Sequence, residues 1–239
     1  VMPALPKTRS RRRAVVLAMT TLLPAALSAQ QVGHAPTKSP YEDYTVAQTV
    51  SIMAGNLAVG RDPADVAPKS GLMAAIRYDL RIGGPATLYA RYSFAPSTRN
   101  ALDPTKPRVT RVIATPSVTT HVADLGINLD LTGKKTYRRL LPSVFGGVGL
   151  VTDFGKADSS DYVFGTNFAF SYGFALRYVT RRGPQLRLDL SRFQWQYQYP
   201  DRFFVRASDT TSVLASTRQR SAWRGNLGAT IGVTVPIFR

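Results

Sequence analysis

From Asn167 to Tyr178 the chain reads NFAFSYGFALRY, with Phe168, Phe170, Tyr172, Phe174, Leu176 and Tyr178 at every second position. Ala169, Ser171, Gly173, Ala175 and Arg177 stand between them. A strand turns successive side chains to opposite faces, so this segment has one large apolar face and one small, polar face. The same alternation predicts seven further strands. Val46 to Val59 is the first and least regular, because Asn56 interrupts its even-numbered apolar face. Leu72 to Ile82 is the second, with Arg77, Asp79 and Arg81 opposite the apolar set; Leu88 to Phe94 is the third. Ala123 to Leu131 is the fourth, Val144 to Phe154 the fifth, and the opening segment the sixth. The seventh begins at Leu186, Leu188 and Leu190, and the eighth runs from Leu227 to Ile237. In the seventh the large residues change parity, passing to Phe193, Trp195, Tyr197 and Tyr199. A one-residue slip exchanges the faces, so a β-bulge near Ser191 and Arg192 is expected there, the alternative being that the strand has left the membrane and both faces are wet.

The connections alternate in length. Gly83-Gly84-Pro85, Gly133 to Arg138, and Arg181-Arg182-Gly183-Pro184 are short and turn-like. Gly60 to Ser70, Ala95 to Pro107, Gly155 to Gly165, and Pro200 to Arg220 are longer. Short turns on one side and long loops on the other are how a transmembrane barrel is built.

Ahead of the strands, Lys7, Arg9, Arg11, Arg12 and Arg13 precede an apolar run from Ala14 to Leu27 and a small-residue site ending at Ala29. That order predicts a secretory signal over residues 1–29. The run is shorter than the about 20 residues a membrane helix needs. Residues 30–43, with Pro36 and Pro40, are expected as a flexible lead-in, and 44–239 as the barrel domain. There is no cysteine, which excludes disulfides, thiolate metal sites and a cysteine nucleophile. The net charge is +17, and removing the five leader cations leaves +12. For an exported chain such a balance suits phosphate-bearing lipid head groups better than nucleic acid.

These features resemble the small eight-stranded outer-membrane barrels, the group that includes the OmpA transmembrane domain, OmpX and OmpW. The resemblance spans roughly Tyr44 to Arg239 and includes the ending GATIGVTVPIFR, where Phe238 is penultimate and Arg239 last. It implies an all-β, eight-stranded antiparallel up-and-down transmembrane barrel in a bacterial outer membrane. It also implies a monomer inserted by the barrel-assembly machinery. Independently of any family, a sheet in hydrocarbon must close, because unpaired backbone groups cost several kcal/mol each. Eight strands leave a narrow interior that side chains fill. Alternation assigns Arg77, Asp79, Arg81, Arg91, Asp130, Asp153, Arg177, Arg187 and Asp189 to a paired charge network in that lumen. It assigns Ile76, Leu129, Phe168, Phe170, Tyr172, Phe174, Ile231 and Val233 to lipid. Lys134, Lys135, Arg138, Arg139, Arg181 and Arg182 form a basic periplasmic rim. Arg99, Lys106, Arg108, Arg202, Arg206, Arg218 and Arg220 fall in the long connections, beside lipopolysaccharide phosphates.

Chemistry is sparse. The two histidines are His34, in the lead-in, and His121, in Thr119-Thr120-His121-Val122. Outer-membrane lipid hydrolases of the PagL type use His-x-Ser, but the second residue after His121 is Ala123, and Ser117 and Asp124 do not restore the spacing. Asp158, Asp161, Asp201 and Asp209 match no calcium-loop spacing. No enzyme activity, cofactor, metal or nucleic-acid partner is expected. The leading expectation is an envelope-structural or surface-contact barrel with a plugged lumen and lipid partners. An OmpW-like conduit for small apolar molecules is the alternative. A soluble lipocalin-like barrel with its apolar face inward also remains open, because alternation alone does not say which face is inside, as does a lipid-modifying barrel enzyme with a His-Ser-Asp site assembled from separate strands.

Overall fold

The computed structural model describes residues 39–155, 158, 161–181 and 183–238. The signal segment, His34, Arg182 and Arg239 lie outside the described residues. In chain order the strands are β1 (Tyr41–Asp43), β2 (Gln48–Ala58), β3 (Gly71–Gly83), β4 (Ala86–Thr98), β5 (Ala101–Leu102) and β6 (Val112–Ala114). They continue with β7 (Ser117–Asp130), β8 (Lys135–Tyr137), β9 (Leu140–Thr152), β10 (Thr166–Tyr178), β11 (Gln185–Gln198) and β12 (Ser221–Phe238).

Among the described residues eight long strands form the wall, in the order β2-β3-β4-β7-β9-β10-β11-β12, every pair antiparallel. β12 pairs back onto β2, with Val233 opposite Ile52, so no long strand keeps an open edge. The wall strands run from 11 residues in β2 to 18 in β12. A tilted strand needs about 9–11 residues to cross a bilayer, so each is long enough.

The faces separate by polarity, and the apolar one is outside. Ile52, Leu125 and Ile231 are more than 60% exposed, whereas Arg77 and Asp189 are 0% exposed. This inversion overturns the lipocalin-like alternative, which needs the apolar set inside. It makes the outer wall a surface for hydrocarbon, with the backbone satisfied by ring closure.

Turn chemistry sets the short end. Gly84 has φ +52°, and Gly84-Pro85 links β3 to β4. The connection from β7 to β9 is more than the expected turn. It contains β8, which pairs with β1 through Glu42 opposite Thr136. The end of the lead-in is therefore a strand rather than a flexible segment. At the other end β4 reaches Thr98, and the β5–β6 hairpin occupies the following loop.

The expected bulge in the seventh wall strand is absent. β11 pairs without a break from Leu186 to Trp195 against β10 and from Gln185 to Gln198 against β12. Phe193, Trp195 and Tyr197 keep the inward parity of Arg187 and Asp189 and are buried. The residues change character because the interior does: it is charged toward the short turns and aromatic toward the long loops. A register irregularity lies instead at the end of β12, where Pro236 pairs with Thr49 and Phe238 with Gln48.

Candidate functional site

Near the short turns, Arg77 donates through Nε to Asp79 (2.9 Å) and through Nη1 to Asp189 (3.4 Å). Arg187 donates to Asp189 (2.6 Å) and Asp79 (2.9 Å), closing a four-membered ring of alternating charge. Arg177 adds a contact to Asp79 at 3.4 Å, and Arg81 pairs with Asp130 at 2.6 Å. Asn128 links the two groups, donating to Asp130 and accepting from Arg77. Removing charges from water costs several kcal/mol per ion, so such a set persists only when its donors and acceptors are largely matched.

Next come rings. The Arg77 guanidinium lies 3.9 Å from the centroid of Tyr89 and 5.0 Å from that of Phe145. Tyr89 fits because its neighbours lack side chains. A Cβ at Gly147 would stand 2.5 Å from the Tyr89 hydroxyl, and one at Gly126 2.8 Å from its ring. A second charge centre follows. Arg91 grips Asp124 with two bonds of 2.9 Å, and Tyr89 and Ser171 also donate to Asp124, at 3.1 and 2.6 Å. Beyond it the interior becomes apolar, with Phe193, Trp195, Tyr197, Phe164 and Met73 buried together.

Both ends of the interior are covered. At the long-loop end Val66, Tyr162, Phe203 and Leu214 pack onto the aromatic cluster. Asp62 fastens two loops there, accepting from Val66 and Ala67 backbone N–H groups and from the Tyr199 hydroxyl at 2.5 Å. Burial, then the Asp62 carboxylate, raise the pKa of Tyr199. At the short-turn end Tyr44 is buried, receives a 2.8 Å bond from Arg177, and holds its ring under Arg81 at 5.1 Å. The space left among Tyr44, Arg81, Asp130 and Arg177 is about 10 Å³, at the lower limit for one water.

Of the nine residues assigned to the network, Arg77, Asp79, Arg81, Arg91, Asp130, Arg177, Arg187 and Asp189 lie inside the barrel. Asp153 does not. It lies past the end of β9, where its carboxylate accepts from the Gly155 N–H at 2.8 Å, an Asx turn rather than a lumen contact. Asp124 is the member that the assignment missed. Its parity with Asn128 and Asp130 on β7 was the available signal. Tyr44, Tyr89 and Phe145 were also not assigned inside, because ring stacking on guanidinium leaves no trace in a polarity pattern.

Ile76, Leu129, Phe168, Phe170, Tyr172, Phe174, Ile231 and Val233 are all exposed on the outer wall. Lys134, Lys135, Arg138 and Arg181 are exposed at the short-turn end, with Arg139 half-buried beside them. Among the long-loop cations, Arg99 is buried and pairs with Asp158 at 2.7 Å, so it is no surface charge. Asp161 pairs with Arg202, Asp201 with Arg220, and Asp209 bonds Thr211. His121 faces outward on β7, where Nδ1 meets the Tyr92 hydroxyl at 2.7 Å and the ring packs on Phe154. Asp124 faces the opposite side of the wall, so these two do not form a catalytic pair.

No protein-family model matches the chain, and no curated protein matches its sequence. Among solved structures it is similar to Neisserial surface protein A, at 12% identity over 80% of this chain and 97% of that one, with a TM-score of 0.46. It is similar to the outer membrane protein OprG from Pseudomonas aeruginosa, at 10% identity over 80% and 97%, with a TM-score of 0.48. A major outer membrane protein from Thermus thermophilus gives 14% over 79% and 98%, with a TM-score of 0.40. The fold assignment rests on the closed hydrogen-bond ladder of this chain itself.

Proposed function

We propose that this protein is a non-enzymatic barrel of a Gram-negative outer membrane, with a structural or surface-contact role and its long loops turned to the outside. The observation that carries the reading is the inverted polarity: five arginines and four aspartates are ion-paired inside an apolar wall. Matched charge, stacked rings and covered ends make the interior a strut rather than a pore. The exposed loop cations Lys106, Arg108, Arg202, Arg206 and Arg218 then face lipopolysaccharide phosphates. Lys134, Lys135, Arg138, Arg139 and Arg181 face inner-leaflet head groups. Each such cation is worth about 1 kcal/mol near an anionic surface. The barrel works as a monomer after insertion by the assembly machinery.

Membrane-impermeant amine labelling of intact cells tests the orientation. Lys106 is exposed in the β5–β6 loop, and Lys134 and Lys135 are exposed at the opposite end. Labelling of Lys106 but of neither Lys134 nor Lys135 in intact cells, and of all three after lysis, is the expected result. Labelling of Lys134 and Lys135 in intact cells overturns the orientation. Recovery of the protein in the soluble periplasmic fraction overturns the membrane assignment.

A second reading, passage of small apolar molecules, draws on the aromatic half of the interior. It requires Trp195, Tyr197 and Phe203 to leave a closely packed cluster.

A further inference from the structure

The outer wall is not uniformly convex. Across β3, β4, β7 and β9 it carries an apolar trough of about 600 Å³. Two adjacent rows of outward residues build it. In one row Ala123 stands between Tyr92 and Leu150; in the other Ala90 stands between Tyr78 and Leu125. Ala90 and Ala123 are diagonal neighbours on paired strands, so the low points join. Large side chains on both sides form the banks.

The tyrosine banks are held in place. The Tyr78 hydroxyl donates to Gln48 at 2.8 Å, bracing its ring against β2. The Tyr92 hydroxyl is bonded to His121 Nδ1 at 2.7 Å, and the two rings stack at 6.0 Å. His121 is backed in turn by Phe154 at 5.0 Å. The trough is thus present before anything enters it, which lowers the ordering cost of binding.

We propose that this trough is a fixed seat for one acyl chain of a membrane lipid, held by the barrel instead of exchanging freely with the surrounding lipid. The inference rests on the transmembrane reading. The trough is continuous with the hydrocarbon-facing wall, so acyl chains are what it meets. Its volume lies within the range of about 300–1,000 Å³ usual for small-molecule sites. A second barrel is not the occupant: a stable protein interface needs roughly 1,000 Å² or more of matched surface, and a trough between two alanines does not supply it.

The test uses the full chain refolded into phosphatidylcholine vesicles doped with a phosphatidylcholine that carries a diazirine on its acyl chain. After irradiation, adducts are mapped by mass spectrometry. Label on Ala90, Tyr92, Ala123 and Leu125 is expected to exceed label on Leu188, Ile231 and Val233, across the barrel, by roughly tenfold, equivalent to ~1.4 kcal/mol of preference. Filling the trough with Ala90→Leu and Ala123→Leu together removes the excess. Both positions face outward, so the interior is untouched, and the wild-type footprint alone decides the matter should the double variant not refold. Even labelling around the wall overturns the seat while leaving the transmembrane reading standing. So does an excess that survives in the filled variant, or cross-linking of two chains through the trough. Absence of label from the whole outer wall overturns the transmembrane reading itself.

Discussion

Asp124 accepts four hydrogen bonds inside the barrel, two from Arg91 and one each from Tyr89 and Ser171. Truncating it leaves the Arg91 guanidinium buried and unmatched. Asp124→Ala should therefore cost about 3–5 kcal/mol in urea unfolding from lipid vesicles, and Arg91→Met combined with Asp124→Leu much less. Equal losses in the single and double variants would show that the pair itself does not matter. The adjacent residue shows the other face. Leu125 is exposed on the outer wall, and Leu125→Arg should cost roughly 2–4 kcal/mol. Val109, 93% exposed in the β5–β6 loop, tolerates the same change. Ala169 offers no neutral control for outward substitutions, because it is buried inside among Phe193 and Trp195.

At the scale of elements, the hairpin from β8 to β9 turns through Arg138 and Arg139, both left-handed, with φ +48° and +67°. Two-residue hairpins of that form favour Asn-Gly, and a left-handed residue with a side chain costs roughly 1–2 kcal/mol. Replacing Arg138→Asn and Arg139→Gly should stabilise the barrel by about 1 kcal/mol after the added glycine entropy is deducted. A lower urea midpoint for this variant refutes the turn assignment. The long loops carry a different device. Asp209 accepts from the Thr211 hydroxyl at 2.7 Å and from the Arg108 backbone N–H at 2.8 Å, tying the loop after β11 to the β5–β6 loop. Those bonds hold its carboxyl down at about 2, from an ordinary 3.8. A depressed carboxylate contributes stability above its unfolded pKa and loses it as pH falls through the folded value. The latch should thus stay closed at pH 4 and open only toward pH 2. Hydrogen exchange at the Arg108 amide reports it, and fast exchange already at pH 4 would count against the latch.

For the molecule as a whole, the proposed plug is distributed along the interior. Tyr44 covers one end, the Arg77–Asp79–Arg187–Asp189 ring fills the interior beside it, and an aromatic cluster with three loops covers the other. Purified protein in planar bilayers should be electrically silent, and Tyr44→Ala should remain so, because the ring and the cluster stay in place. Steady large-conductance openings from the wild type would move the conduit reading ahead. The cover at the short-turn end also depends on β1, whose pairing with β8 joins Glu42 to Thr136 across the chain.

What the amino-acid order determines alone is the period of two. Covalent geometry sends neighbouring side chains to opposite faces, so strand positions, alternating loop lengths and the partition of residues between two faces can be read directly. Which face is inside cannot be read that way, because the same alternation suits lipid outside or lipid inside. The tertiary structure decides it, by leaving Arg77 and Asp189 no solvent and Ile231 62% exposed. The same limit explains Phe193 and Trp195, whose inward position looked like a slip of register only because inside was equated with polar. Pairing is likewise tertiary: Arg77 and Asp189 are 112 residues apart and meet only when β12 returns to β2. Local sequence sets the direction of a side chain, and the closed ring chooses its partner.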